Sequence, residues 1–122
     1  MKKLLLIDDN IHQHKLFQCY ATMCDDLELD FALNIEEALD LLRFDDPDIV
    51  FLDNRLHPYE SYSETVPMLR ERGFKGKIVV ISANVTVSMA VEFKSKTVAA
   101  MLDKSDLNLN NFNEKVESLL LN

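Results

Sequence analysis

The chain has 122 residues, 48% hydrophobic and 28% charged, with a formal charge of −8 from 21 acids against 13 Lys and Arg. That length suits one domain spanning 1–122, with room for a real core and none for a separate effector domain. The acidic balance argues against nucleic-acid phosphates and anionic membrane surfaces as partners, and apolar stretches of four to six residues are too short to cross a bilayer.

The first residues, Met1-Lys2-Lys3-Leu4, open like a signal peptide, but Asp8 ends the apolar run too early for one. A cytoplasmic location is therefore expected. Lys3–Ile7 reads as a strand covered on both faces, because its apolar residues are continuous rather than alternating. It ends in two neighbouring carboxylates, Asp8 and Asp9. Adjacent acids disfavour each other's ionisation unless positive charge lies close by.

Residues 11 to 24 form a helical pattern with Leu16, Cys19, Tyr20 and Met23 on one side. Cys19 and Cys24 match no metal-binding spacing and point about 140° apart on a helix, which makes them reduced thiols packed as small hydrophobes. His12 and His14 face about 200° apart, so they are read as surface residues rather than as shared metal ligands.

Leu27–Phe31 alternates strictly and suits an edge strand. Asn34 is a good N-cap for the stripe Ile35, Ala38, Leu39 and Leu42. Ile49–Leu52 is the third strand and ends at Asp53. Tyr62, Val66 and Leu69 mark the next helix, which Gly73 ends. Glu60 and Glu64 lie one turn apart near the loop after Asp53 and suit the N-terminal turn of this helix, and its dipole, better than a general-base role. Lys77–Ile81 is the fourth strand, ending at Ser82.

Residues 85 to 93 alternate with a period of two and carry three valines, which is a strand signal. Val85, Met89 and Phe93 also fit i, i+4, i+8, and a crossover needs a covering element there, so a helix is expected. Val98–Leu102 is the fifth strand, ending at Asp103 and Lys104. Leu109, Phe112, Val116, Leu119 and Leu120 stripe the last helix. Strand and helix thus alternate five times, which implies an α/β doubly wound parallel sheet.

Sites in such sheets lie outside the carboxyl ends of the strands. Reading those ends gathers Asp8, Asp9, Asp53, Ser82, Asp103 and Lys104 along one rim. Carboxylates in that number suit Mg²⁺, which leaves coordination positions for water and phosphate oxygens. One carboxylate can act as a nucleophile on phosphorus. A hydroxyl and an ammonium can then bind and neutralise the phosphoryl oxygens.

With these residues in these positions, the sequence resembles a receiver domain of two-component response regulators over essentially its whole length. The spacings are 44 residues from Asp9 to Asp53, 29 to Ser82 and 22 to Lys104. The resemblance implies a (βα)5 flavodoxin-like fold with strand order 2-1-3-4-5 and helices on both faces. It implies Asp53 as phosphoacceptor, with Ser82 and Lys104 as the family's hydroxyl and lysine. Mg²⁺ would be held by Asp8, Asp9, Asp53 and the backbone carbonyl of Arg55, Asp9 directly and Asp8 partly through water. The implied donor is a sensor histidine kinase or histidine phosphotransfer protein. A downstream protein target would meet the surface of residues 85–102 and 107–121. Such a protein is a single-domain response regulator, not an enzyme beyond its own phosphorylation and dephosphorylation.

The sequence departs from the family pattern at three places. Met101 stands where an aromatic is usual, three residues before the lysine. Ser105 stands where a cis proline is usual; a non-proline cis bond costs about 2.5–4 kcal/mol, so a trans bond is expected. Pro58 comes five residues after Asp53 instead of four. The alternative reading is a pseudo-receiver, a phosphorylation-independent protein-binding module. A metal-dependent aspartyl phosphatase would want an acid where Arg55 stands. Nucleotide or flavin binding would want a glycine-rich loop after the first strand, and neither Gly73 nor Gly76 lies there.

Overall fold

The computed structural model describes residues 1–83 and 98–121. In chain order it contains β1 (Lys2–Ile7), α1 (Ile11–Ala21), β2 (Leu27–Ala32), α2 (Ile35–Leu42), β3 (Ile49–Asp53), α3 (Tyr62–Glu71), β4 (Lys77–Ser82) and β5 (Ala100–Asp103). A 3-10 turn (Lys104–Asp106) and a C-terminal helix (Phe112–Leu121) follow. All strands pair in parallel, in the order β2-β1-β3-β4-β5. This is the flavodoxin-like order that the resemblance implies. The helix expected over 85–93 lies outside the described residues.

Side chains on a strand alternate between faces, so the continuous apolar runs of the inner strands feed two separate cores. Leu5, Ile7, Val50, Leu52, Ile78 and Val80 point to one face, where α2 and α3 bring Ile35, Ala38, Val66 and Leu69. Leu4, Leu6, Ile49, Phe51, Val79 and Ile81 point to the other, where α1 and the C-terminal helix bring Phe17, Tyr20, Phe112 and Val116. Helices therefore cover both faces. The edge strand β2 is half-buried along most of its length, as its alternation implies. No helix among the described residues is long and apolar enough to cross a membrane.

Local chemistry sets where the helices begin. The Asn34 side chain accepts from the Glu37 N–H at 2.8 Å, and Glu37 Oε2 accepts from the Leu33 N–H at 2.7 Å. This reciprocal cap satisfies donors that the first helical turn leaves free. Ser61 caps α3 in a similar way. Past the end of α3, Gly73 takes φ +93°, a conformation that costs a glycine little.

Five details differ from the sequence reading. The helix α1 buries Gln13, His14, Phe17 and Tyr20, whereas Cys19 and Met23 are exposed and Leu16 is only half-buried. Phe17 causes this rotation: its ring lies 5.2 Å from both Phe51 and Phe112, edge-on to each. Burying that ring turns the helix about 100° from the stripe that its smaller hydrophobes suggest. As a result Cys19 is not packed, and His14 is not a surface residue. The fifth strand starts at Ala100 rather than Val98 and is half-buried throughout, as befits an edge. Leu109 is exposed and precedes the last helix instead of striping it.

If the Phe17 ring sets the rotation of α1, its loss should cost far more than the loss of its neighbour. Phe17→Ala should destabilise the fold by about 3–5 kcal/mol and Leu16→Ala by about 1 kcal/mol, read from urea denaturation midpoints.

Candidate functional site

The carboxyl ends of β1, β3, β4 and β5 form one rim because the strands run in parallel and in register. Ile7 pairs with Leu52, Asp53 with Ile81, and Ser82 with Asp103. Asp8 and Asp9 follow β1 directly, Asp53 and Ser82 close β3 and β4, and Lys104 opens the turn after β5. These residues line one open cleft of about 590 Å³, together with Arg55 and Glu60.

The positive charge beside the acids is Lys104. Its Nζ donates to Asp8 Oδ2 at 2.8 Å and lies 3.3 Å from Asp53 Oδ1. Asp8 is wholly buried, and its other oxygen accepts from the Asn10 N–H at 2.9 Å. Asp9 is exposed, and its Oδ2 accepts from the His57 N–H at 3.3 Å. Burial lowers the pKa of Lys104, but its hydrogen bond to Asp8 and the charges of Asp53 and Asp8 outweigh that and hold it above the ordinary lysine value.

Asp53 behaves in the opposite sense. Burial, reinforced by the charge of Asp8, pushes its pKa up to about 6, although Lys104 pulls it down. Among the described residues that line the cleft, the acids Asp8, Asp9, Asp53 and Glu60 outnumber the cations Lys104 and Arg55, so the cleft keeps surplus negative charge. Ligand oxygens of Asp8, Asp9 and Asp53 all lie within 4.8 Å of one another. Oxygens around an octahedral Mg²⁺ at about 2.1 Å lie about 3–4 Å apart, so a small side-chain rotation closes the set on such an ion. The hard, all-oxygen donor set fits it chemically.

The rim residues anticipated from sequence thus converge, with one exception. Asp103 Oδ1 accepts from both the N–H (3.0 Å) and the hydroxyl (2.8 Å) of Ser105, and so closes the turn that carries Lys104. Ser105 therefore has a structural use that proline, lacking an N–H, cannot supply. The Lys104–Ser105 bond is trans as expected; among the described residues the cis bond is His57–Pro58. Met101 is half-buried against the core beneath α2 and α3.

Glu60 and Glu64 separate into different settings. Glu64 Oε2 accepts from the Glu60 N–H at 2.7 Å, a helix-start role, whereas Glu60 lines the cleft. Two contributors were not anticipated. Asn54, buried beside Asp53, accepts from the Tyr62 N–H at 3.1 Å and so ties α3 to the rim. His14 Nε2 reaches the backbone oxygen of Asp8 at 2.5 Å. The one sequence signal for His14 was its place three residues before Phe17 on the same helical face.

The family model for the response regulator receiver domain matches residues 4–117. No curated protein matches the sequence. Among solved structures, the response regulator protein TrrA of Thermotoga maritima, in complex with Mg²⁺-BeF, is 28% identical with a TM-score of 0.77, covering 98% of this chain and 100% of that one. A structure described as the signal receiver domain of a Luxo repressor protein from Vibrio parahaemolyticus is 18% identical with a TM-score of 0.83, over 98% of this chain and 90% of that one. The receiver domain of the Francisella response regulator 1452 is 20% identical with a TM-score of 0.76, over 99% of this chain and 98% of that one.

Raising the pKa of Asp53 from 3.8 to about 6 makes the folded state bind more protons than the unfolded state between those values. The contribution of this group to stability is therefore fully present below about pH 4 and is lost as pH rises to about 6, at most about 3 kcal/mol in all. In EDTA, Asp53→Asn should lack this fall and should be more stable than wild type at pH 7. Urea midpoints measured across pH 4 to 7 check both points; equal slopes for the two proteins would contradict the assignment.

Proposed function

Because the chain belongs to the response regulator receiver domain family, we propose that it accepts a phosphoryl group on Asp53 from the phosphohistidine of a histidine kinase or phosphotransfer protein, in a Mg²⁺-dependent reaction. The observation that carries this reading is the single Lys104 ammonium held between Asp8 and Asp53 at the strand ends. An Asp53 oxygen attacks phosphorus as the bond from phosphorus to the histidine nitrogen breaks, and the leaving imidazole departs with the bonding electrons. Bound Mg²⁺ supplies positive charge to the phosphoryl oxygens. Asp8, Asp9, Asp53 and the Arg55 carbonyl are the proposed holders of that ion.

Lys104 is the proposed cation for the transferred group. Phosphorylation takes one Asp53 oxygen into a covalent bond, and the ammonium beside it then neutralises a phosphoryl oxygen while keeping its bond to Asp8. Ser82, at the end of the neighbouring strand, is the proposed hydroxyl donor to the same group. Hydrolysis reverses the modification: water attacks phosphorus, the bond from phosphorus to Asp53 oxygen breaks, and the carboxylate is restored. The signal would pass by protein contact or by onward phosphotransfer, with residues 85–102 and 107–121 as the proposed surface; residues 85–97 of it lie outside the described residues.

Incubation with Mg²⁺ and acetyl phosphate, read by intact mass, tests the proposal. The expected product carries one phosphoryl group, is labile to alkali, and is absent with EDTA or in Asp53→Asn. No adduct from acetyl phosphate or from a panel of phosphorylated kinases would turn the assignment to a phosphorylation-independent binding module.

A further inference from the structure

Resting on the receiver reading, we infer that His14 is a positioning residue, one that fixes the peptide joining Asp8 to Asp9 and thereby the cation-binding geometry of the pair. The need for it arises where the sheet ends. The Asp8 N–H still bonds to the Ala32 carbonyl at 3.0 Å, but β2 stops at Ala32 and the chain turns through Asn34 into α2. The carbonyl of Asp8 therefore lies at the edge of the ladder, on a residue with no solvent exposure. A buried carbonyl needs a donor.

His14 supplies that donor from α1. Its Nε2 lies 2.5 Å from the Asp8 backbone oxygen. A carbonyl oxygen only accepts, so Nε2 carries the hydrogen. The ring is itself fixed: the side chain is buried, and its centroid lies 4.8 Å from that of Phe31 on β2. The rotation of α1 that buries Phe17 is what carries His14 inward.

The bonded peptide is the hinge between the two acids. Turning it would swing Asp9, which is exposed and held by one long bond from the His57 N–H at 3.3 Å. Asp8 has less freedom, since Lys104 and Asn10 hold its two oxygens. A donor on the intervening carbonyl thus restricts the looser of the two carboxylates. It acts through the backbone and touches neither the ion nor the phosphoryl group.

The test uses two variants and one measurement on wild type. His14→Phe keeps a ring against Phe31 and removes the donor; His14→Gln keeps an N–H of similar reach. Mg²⁺ titrations followed by amide NMR shifts, well below each melting temperature, should show binding weakened roughly tenfold in His14→Phe and within about threefold of wild type in His14→Gln. In metal-free wild type, the imidazole nitrogen spectrum should show hydrogen on Nε2, whether or not either variant folds. Wild-type affinity in His14→Phe, equal losses in both variants, or an Nε2 without hydrogen would each overturn the inference. Wild-type protein that takes up no Mg²⁺ would instead overturn the receiver reading on which it rests.

Discussion

Two ion contacts made by one ammonium organise this molecule. Lys104 can reach Asp8 and Asp53 together only if β1, β3 and β5 end at matching heights, which the continuous parallel registers guarantee. A slip of one residue in β1, β3 or β5 would invert its side chains and carry a carboxylate or Lys104 off the rim. The same slip would send apolar residues to the wrong core. Charge placement and hydrophobic alternation therefore impose one register between them.

The arrangement is electrostatically unfinished. Two of the three clustered carboxylates, Asp8 and Asp53, share the Lys104 ammonium, and burial with the charge of Asp8 holds the pKa of Asp53 well above the usual carboxylate range. Cations are favoured there, and a carboxylate that is costly to keep ionised is set beside the charge that offsets it. Apolar packing on both faces holds the strand ends while the loops beyond them carry the exposed groups. Asn54 and Glu64 tie the loop after β3 to the start of α3, and the Asp103–Ser105 closure sets the turn carrying Lys104. These short polar ties put the site on rigid elements, which is what a cation- or phosphate-binding geometry needs.

Departures from family pattern are easier to place in three dimensions. Ser105 has a local use in closing its turn, and the trans bond follows from the residue's not being proline. Met101 packs against the buried core on the face that α2 and α3 cover, where an unbranched, flexible side chain packs readily.

Much of this was legible in the sequence by itself. Continuous apolar runs between helical stripes determined a parallel sheet, and the first polar residue after each run determined what stands on its rim. Periodicity is a property of neighbouring residues, so the strands and the candidates Asp8, Asp9, Asp53, Ser82 and Lys104 could be read without coordinates. Rotation and pairing could not. The inward face of α1 was decided by the Phe17 ring meeting Phe51 and Phe112, residues far away in the chain. That contact exposed Cys19, buried His14 and brought the imidazole to the Asp8 carbonyl. Likewise, only the fold decided that Asp103 closes a turn while Asp53 meets the lysine, since both are strand-end acids in sequence. Local pattern fixes which residues reach a rim; packing between distant segments decides which of them touch.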